Sequence, residues 1–244
     1  MLINFQNLPS RDKSKKTLKN SILAPEGHVL INCDSSQIEA RIVAWLAGQD
    51  DLVEAFEKGQ DVYKMMASKI YGVPVNEVTD KQRFMGKTTI LGAGYGMGAA
   101  KFQAQLKTAG HEITEEEANR IITTYRESYP RITELWKAAN NMLPALMGDM
   151  SAEFGWDRLL KIDGKRGIRL PNGLYIAYPN IRLERSEGSD KPQFIYDTKR
   201  GKQVVPTRIY GGKIVENVCQ ALARIIIGEQ MLMIAKKYRV VMTV

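Results

Sequence analysis

The sequence is poor in the residues that form disulfides and histidine-ligated metal sites. It contains two cysteines and two histidines among 244 residues. Cys33 and Cys219 lie in apolar segments, where a free thiol behaves as a small hydrophobe, so we expect no disulfide. His28 and His111 are far apart and follow no metal-ligand spacing, which predicts surface or core histidines.

The sequence also lacks a long uninterrupted apolar run. Its first sixteen residues, MLINFQNLPSRDKSKK, contain no apolar core of the length that a signal peptide needs. Arg224 interrupts the apolar run at residues 221–227, which is short for a membrane span. These absences predict a soluble, cytoplasmic protein without membrane association.

Acidic residues are outnumbered by basic ones. The chain has 27 Asp and Glu against 35 Lys and Arg, which gives a formal net charge of +8 and a pI near 9.4. This excess favours a polyanionic partner such as nucleic acid, and a solvated basic face would produce the same excess. A chain of this length can bury a sizeable core in one large or two small domains.

Residues 29–48, VLINCDSSQIEARIVAWLAG, change their hydrophobic period in the middle. The apolar residues 29–31 predict a strand buried on both faces, and Asp34 follows its end. Ser36 and Glu39 form a capping-box pattern, and the apolar spacing after them predicts a helix that stops at Gly48. Asp34 is therefore predicted at a strand-to-helix corner, where a carboxylate can reach a ligand from a rigid scaffold.

Residues 79–95 form a second informative stretch. Thr79 and Gln82 match another capping box, which predicts the start of a helix. Residues on one face of this helix are four apart: Arg83, Lys87, Leu91 and Tyr95. A nucleotide lying along this face would meet cations at its phosphates and apolar or aromatic surface at its base. The alternative is a solvated basic turn followed by core residues.

The other helical patterns indicate scaffold. The apolar spacing of residues 50–72 predicts one continuing helix. Residues 99–147 also have helical periodicity, and Tyr129 with Pro130 predicts a break in this stretch. Residues 213–238 predict a long amphipathic helix, and residues 239–244, RVVMTV, predict a strand.

The period switches to two between residues 151 and 212. Hairpins are predicted around Asn172-Gly173 and around residues 199–202. The cations of this segment could follow a DNA backbone or protect strand edges, and the sequence leaves both open. They include Lys161, Lys165, Arg166, Arg169, Lys199 and Arg200.

Three motifs resemble those of the family A DNA polymerases, the polymerase I type. DSSQIEAR, which begins at Asp34, resembles the first catalytic motif, usually DYSQIELR. RxxxKxxxLxxxYG, which begins at Arg83, resembles the second motif, on the fingers helix that delivers the dNTP. FQNLP at residues 5–9 resembles the NLQNIP segment that precedes the first motif.

The resemblance implies an α+β fold. The expected parts are a polymerase palm with an antiparallel sheet and helices, helical fingers, and a β-rich insertion of the kind found in phage members. The expected boundaries are palm at 1–48, fingers at 49–150, insertion at 151–212 and a second part of the palm at 213–244.

The implied activity is template-directed addition of deoxynucleotides to a primer 3′ end by two-metal phosphoryl transfer. The implied cofactor is Mg²⁺, as two ions, and the implied partners are primer-template DNA and dNTPs. By resemblance, Asp34 and Lys87 are catalytic, and Asp34 and the backbone carbonyl of Ser35 bind the metal. The implied nucleotide-binding residues are Ser35, Gln37, Ile38, Glu39, Arg83, Lys87, Leu91 and Tyr95. The implied DNA-binding residues are Gln6, Asn7, Arg41, Gln220 and Arg224.

Glu39 has two interpretations. By resemblance it is the steric gate that excludes a ribose 2′-hydroxyl, and by local pattern it is the capping-box partner of Ser36. Two positions depart from the family pattern, because Tyr63 replaces a histidine that helps hold the triphosphate and Leu91 replaces an aromatic residue. The family's His-Asp-Glu third motif does not follow residues 239–244, so we expect the isolated 244-residue chain to be an inactive palm-and-fingers piece.

Three other classes compete with a polymerase. A haloacid-dehalogenase-type phosphatase also places an aspartate after an apolar strand, but it needs a second aspartate where Ser36 stands. A non-catalytic DNA-binding module would explain the charge but not the combination of Asp34, Glu39 and the cationic helix face. A polymerase-derived structural protein that has lost catalysis has the same sequence features as a polymerase fragment.

Overall fold

The computed structural model describes residues 21–185 and 192–240. The chain divides into two compact units. We call residues 37–225 the main unit; the described parts of the other, the minor unit, are residues 21–36 and 226–240.

Eight helices follow one another in the first part of the main unit. They are α1 (Ile38–Ala47), α2 (Asp50–Glu57), α3 (Val62–Tyr71), α4 (Asp80–Ala93), α5 (Ala99–Thr108), α6 (Glu115–Ser128), α7 (Pro130–Asn141) and α8 (Leu143–Met147). The capping box predicted at Thr79 and Gln82 is confirmed, with Thr79 N donating to Gln82 Oε1 at 2.9 Å. The predicted break is also confirmed, because α6 ends at Ser128 and Pro130 begins α7.

Two antiparallel sheets follow the helices. The first has the order β1 (Ser151–Phe154), β2 (Leu160–Asp163), β3 (Ile168–Arg169) and β4 (Tyr175–Ile176). The second has the order β5 (Arg182–Glu184), β6 (Gln193–Arg200) and β7 (Gln203–Ile209). Both predicted hairpins are confirmed, and the α+β fold class with them.

The last helix, α9 (Gly211–Ala235), begins in the main unit. Its apolar face is buried through Ile214, Val218 and Leu222, as its pattern predicts. By length and composition alone, α9 is the one helix of the described chain that could cross a membrane, a test that core helices of soluble proteins also pass.

The main unit has one continuous hydrophobic core that joins helices and sheets. Its largest fully buried side chains include Tyr125, Tyr129, Phe102, Leu46 and Met66. Gly86 of α4 lies directly against the backbone of α3, where an added Cβ would overlap the carbonyl oxygen of Tyr63 and lie 2.9 Å from Ala67 N. This contact fixes how the side chains of α3 and α4 meet.

The predicted strand at residues 29–31 is wrong. These residues are not in a strand, and Val29 and Ile31 are 84% and 74% exposed. A strand needs a neighbour for its backbone N–H and C=O groups, and the described residues pair none with this segment. Cys33 is also exposed, whereas Cys219 is buried as predicted. A strand was also predicted at residues 239–244. Residues 239–240 are not in a strand, and residues 241–244 lie outside the described part of the chain.

Two local predictions about helices are also wrong. The capping box of Ser36 and Glu39 is not formed, because α1 begins at Ile38 with Gln37 as its N-cap in the left-handed region at φ 57°. Ser36 therefore lies one residue before the cap position. Residues 50–72 form two helices, α2 and α3, because a left-handed Gly59 follows the end of α2 and Asp61 caps a new start.

Candidate functional site

The predicted cationic face is present on α4. Arg83 and Lys87 lie in the first half of the helix, Leu91 lies near its end, and Tyr95 follows the helix. At a rise of 1.5 Å per residue, the twelve steps from Arg83 to Tyr95 span about 18 Å. Lys87 is exposed and Leu91 is 40% exposed, so both side chains are accessible to a ligand.

Asp61 and Tyr63 of the neighbouring helix contact these cations. Arg83 Nε donates a 2.6 Å hydrogen bond to Asp61 Oδ2, and the two oppositely charged groups form an ion pair. The Tyr63 ring lies 5.3 Å from the Arg83 guanidinium carbon and 5.9 Å from Lys87 Nζ, so one aromatic ring serves two cations. The cations are therefore held beside each other, with Lys87 reaching solvent.

The environment of Asp61 and Tyr63 shifts both acidities. Partial burial raises the pKa of Asp61. Hydrogen bonds from Arg83 and from the amides of Lys64 and Tyr63 lower it by more, so the pKa is below its ordinary value. Burial raises the pKa of Tyr63, against the opposing effects of Arg83 and of a hydrogen bond with Gln37. Asp61 is therefore a carboxylate and Tyr63 a neutral phenol at neutral pH.

Tyr95 joins the end of α4 to α1. Its hydroxyl donates to Glu39 Oε2 at 3.3 Å, so the Glu39 side chain is directed to Tyr95 and not to Ser36. Burial, with contributions from the nearby Cys219 and Glu39, strongly raises the pKa of Tyr95, which keeps the hydroxyl protonated as a donor. Glu39 and Tyr95, each predicted as a nucleotide contact, are hydrogen-bonded to each other in the structure.

The start of α9 fixes the backbone at Tyr95. An added Cβ at Gly212 would overlap the carbonyl oxygen of Tyr95, and one at Gly211 would overlap that of Trp136. Trp136 Nε1 in turn donates to the carbonyl of Gly94 at 2.9 Å. Helices α7 and α9 therefore hold the end of the cationic face in place.

Asp34 and Ser35 belong to the minor unit. Asp34 is exposed, and Ser35 Oγ donates to Gln230 Oε1 at 3.0 Å. Within residues 21–185 and 192–240, no three His, Cys, Asp or Glu side chains lie together where they could hold a metal ion. The exposed carboxylate of Asp34 suits a hard cation, but the described residues do not by themselves complete a two-ion magnesium site.

The other predicted nucleotide contacts lie at the start of α1. Gln37 is its left-handed N-cap and bonds to Tyr63, and Ile38 is half-buried against the core. The side chain of Gln37 is thus connected to the same tyrosine that contacts Arg83 and Lys87.

Three of the predicted DNA-binding residues lie on helices of the main unit. Arg41 is exposed on α1, with its guanidinium 4.7 Å from the Phe56 ring and Nη1 donating to Phe56 O at 3.4 Å. Gln220 and Arg224 are exposed one turn apart on α9. The predictions for Gln6 and Asn7 lie outside the described residues.

Sequence reasoning missed the roles of Asp61 and Cys219. Asp61 precedes an apolar helical pattern and could have been identified as an N-cap, but its pairing with Arg83 joins residues 22 positions apart and has no local signal. Cys219 is fully buried on α9, and a hydrogen bond with Tyr95 is among the influences on its thiol. No spacing in the sequence predicts that contact.

Comparisons with known proteins agree on one family. The sequence model of DNA polymerase family A matches residues 2–149. The DNA polymerase of Bacillus phage SP02 is 28% identical over 218 residues, covering 85% of this chain and 33% of the relative. DNA polymerase I of Mycobacterium bovis is 35% identical over 136 residues, covering 55% of this chain and 14% of the relative. The thermostable DNA polymerase I of Thermus aquaticus is 35% identical over 129 residues, covering 53% and 15%.

A solved structure is also similar. It is the POL domain of Pol1 from M. smegmatis in complex with DNA primer-template and dNTP, with a TM-score of 0.48 and 29% identity. The match covers 58% of this chain and 24% of that chain. The chain thus spans one third or less of the curated relatives described here.

Proposed function

Because the chain belongs to DNA polymerase family A, we propose that it contributes the nucleotide-binding part of a template-directed DNA polymerase, which adds deoxynucleotides to a primer 3′ end. The observation that carries this proposal is the cationic face of α4. Arg83 and Lys87 share the ring of Tyr63, and Tyr95 at the other end of the face is bonded to Glu39.

Arg83 and Lys87 bind the triphosphate of the incoming dNTP in this proposal. Charge-assisted hydrogen bonds to phosphate are about twice as strong as neutral ones, and an arginine offers several donors in fixed geometry. Held cations also stabilise charge that develops during phosphoryl transfer without having to reorganise. Lys87, which is exposed, is the residue that we assign to the reacting phosphates.

Glu39 and Tyr95 form the sugar and base end of the proposed site. A carboxylate beside the sugar excludes a ribose 2′-hydroxyl, and the hydroxyl of Tyr95 holds that carboxylate in position. Leu91, accessible on the same helix, supplies apolar contact to the sugar and base. Gln37 and Ile38 complete the nucleotide contacts at the start of α1.

Magnesium chemistry requires ligands beyond those that the described residues assemble. Bound Mg²⁺ would lower the pKa of the primer 3′-hydroxyl and neutralise the leaving pyrophosphate. Asp34 and the carbonyl of Ser35 would be two of its ligands. Since no His-Asp-Glu run, the third motif of the family, occurs among these 244 residues, we also propose that a polypeptide of this sequence does not itself extend a primer.

Primer-template DNA is the proposed macromolecular partner. Gln220 and Arg224 on α9 and Arg41 on α1 are its proposed contacts, with Gln6 and Asn7 as further predicted ones. The exposed cations at the β6–β7 turn, Lys199, Arg200 and Lys202, add a backbone-binding surface. We also propose that the protein acts in the cytoplasm, where both partners are present.

Nucleotide binding by the chain itself tests the proposal without requiring turnover. Binding of a fluorescent dNTP should be measured by anisotropy with Mg²⁺ for the unmodified chain, Lys87→Ala and Lys81→Ala. Lys87→Ala should raise the Kd about tenfold or more, because a charge-assisted bond to phosphate is lost. Lys81, exposed in the first turn of the same helix, is the matched control and should change the Kd less than twofold.

Equal binding by Lys87→Ala and the unmodified chain would contradict the assignment. DNA binding without any dNTP binding would favour the alternative of a non-catalytic DNA-binding protein derived from a polymerase.

A further inference from the structure

Both carboxylate oxygens of Asp61 are used, and each has a different task. Oδ1 accepts from the amides of Tyr63 at 3.1 Å and Lys64 at 3.0 Å, which caps the amino terminus of α3. Oδ2 accepts from Arg83 Nε at 2.6 Å. The cap fixes the carboxylate relative to the backbone, so the second oxygen is a fixed acceptor and not the end of a freely rotating side chain.

The packing of the two helices reinforces this geometry. Gly86 brings the backbone of α4 against the backbone of α3 at Tyr63 and Ala67, which leaves little freedom for one helix to slide along the other. Arg83 lies one turn before Gly86 and Asp61 lies two residues before Tyr63. The distance between the two charged groups is therefore set by backbone contact.

The guanidinium of Arg83 is oriented as a result. Asp61 accepts a hydrogen bond from the Nε of Arg83. Among the described residues, none accepts a hydrogen bond from its terminal nitrogens Nη1 and Nη2. The Tyr63 ring contacts the same group at 5.3 Å. An arginine held by Nε and supported by an aromatic ring presents its two terminal nitrogens as a fixed pair of donors.

We infer that Asp61 is a positioning residue that holds Arg83 ready to bind the triphosphate. This inference rests on the proposed function, because it assigns Arg83 to the nucleotide phosphates. If the Arg83 side chain became ordered only when the nucleotide bound, the entropy lost in ordering it would weaken binding. Asp61 already orders the side chain in the unbound protein, so that cost is not paid on binding. Asp61 also offsets one of two neighbouring positive charges, Arg83 and Lys87, which allows both to remain beside the same ring.

Asp61→Asn is the informative substitution. Asparagine caps helices about as well as aspartate, so α3 keeps its start, but the charge that holds Arg83 is lost. Asp80→Asn is the matched control, because Asp80 is the first residue of α4, is exposed and lies three residues before Arg83. Asp80→Asn makes the same change in net charge and leaves the Asp61–Arg83 ion pair intact. Circular dichroism should show the same helix content for both variants.

The experiment measures fluorescent dNTP binding by the full chain with Mg²⁺ in a double-mutant cycle of Asp61→Asn and Arg83→Ala. Asp61→Asn should raise the Kd five- to tenfold, Asp80→Asn should change it less than twofold, and Asp61→Asn should add no further loss to Arg83→Ala. A role in folding alone would not produce this dependence on Arg83.

Each other outcome has a definite meaning. Unchanged or tighter binding by Asp61→Asn, with weakened binding by Arg83→Ala, overturns the role of Asp61 and leaves the proposed function in place. If neither Arg83→Ala nor Lys87→Ala weakens binding, or if the unmodified chain does not bind dNTP, the proposed nucleotide site fails and the role of Asp61 fails with it.

Discussion

Single hydrogen bonds connect the residues of the candidate site in pairs. Asp61 holds Arg83, and Tyr95 holds Glu39. In each pair one member comes from α4 or the residues just after it, and the other from the start of a different helix. These two hydrogen bonds therefore fix the positions of the charged side chains in the site.

Removing the hydroxyl of Tyr95 should destabilise the main unit. Tyr95→Phe deletes the hydrogen bonds of the hydroxyl with Glu39 and Cys219 while retaining the ring, so we expect the free energy of unfolding to fall by about 1 kcal/mol in urea denaturation. Tyr196→Phe is the control, because the Tyr196 ring packs on Tyr178 and its hydroxyl has no hydrogen-bond partner among the described residues. Equal stability of the two variants would show that the hydrogen bonds of the Tyr95 hydroxyl contribute nothing.

Acid should weaken the contribution of Asp61 to stability. The pKa of Asp61 is lowered in the folded chain, so its contribution is fully present above the unfolded-state pKa of about 4 and is lost as pH falls through the lower folded value. The stability difference between the unmodified chain and Asp61→Asn should therefore be largest near neutral pH and shrink below about pH 4. Urea denaturation at several pH values measures this difference.

Arg83→Gln serves as the comparison for that titration. It removes the cationic partner of Asp61, so the pH dependence contributed by Asp61 should become shallower. A dependence as steep as that of the unmodified chain would mean that Arg83 does not lower this pKa.

Helix contacts and strand pairing decide where the site residues stand. The sequence predicts α4 well, because its capping box and periodicity are local signals. It predicts both hairpins, because turn residues and a period of two are also local. It fails at residues 29–31, where an apolar run gives no information about whether a partner strand is available.

The close contact of α3 and α4 should make Gly86 intolerant of substitution. Gly86→Ala would place a methyl group against the backbone of Tyr63 and Ala67, so we expect a loss of about 2 kcal/mol as the helices move apart. Gly228→Ala on α9 is the matched control, since nothing lies within 4 Å of its added Cβ. It should stabilise by up to about 1 kcal/mol through helix propensity. Thermal unfolding of both variants would show whether the signs are opposite.

The basic turn between β6 and β7 should contribute to DNA binding. Replacing Lys199, Arg200 and Lys202 by Glu should weaken primer-template binding and reduce the slope of log Kd against log salt by about three. The ladder from Phe194–Ile209 to Arg200–Gln203 holds this turn as a regular two-stranded ribbon. Fluorescence anisotropy over a range of salt concentrations measures both quantities.

A charge-matched triple variant controls for the change in net charge. Lys101, Lys107 and Lys137 are exposed on α5 and α7, and their replacement by Glu should reduce the slope less. If both triple variants behave alike, the β6–β7 turn has no specific role and edge protection remains its explanation.

At the scale of the whole molecule, family membership was recoverable from two short motifs, whereas the arrangement of charged groups was not. The residues of DSSQIEAR and of the cationic face are visible in the sequence because each lies within one element. The links from Asp61 to Arg83 and from Glu39 to Tyr95 join residues 22 and 56 positions apart. Such contacts depend on helix packing, for which the sequence gives no local pattern.

Primer extension tests the activity proposed for a polypeptide of these 244 residues. A purified polypeptide of the 244 residues should bind dNTP but show no extension of a labelled primer with Mg²⁺, because its sequence contains no His-Asp-Glu motif to supply a second metal-binding aspartate. Denaturing gel electrophoresis of the primer measures the product. Asp34→Ala serves as the background control, and extension above that background would contradict the prediction.

The contrast between the two cysteines gives the folded chain an internal reporter. Cys33 is open to solvent, while Cys219 is fully enclosed and burial raises the pKa of its thiol. A maleimide would therefore modify the first at once and the second only when the surrounding helices separate. The rate of the slow reaction would report how often the protein interior around Tyr95 opens, without introducing a new cysteine.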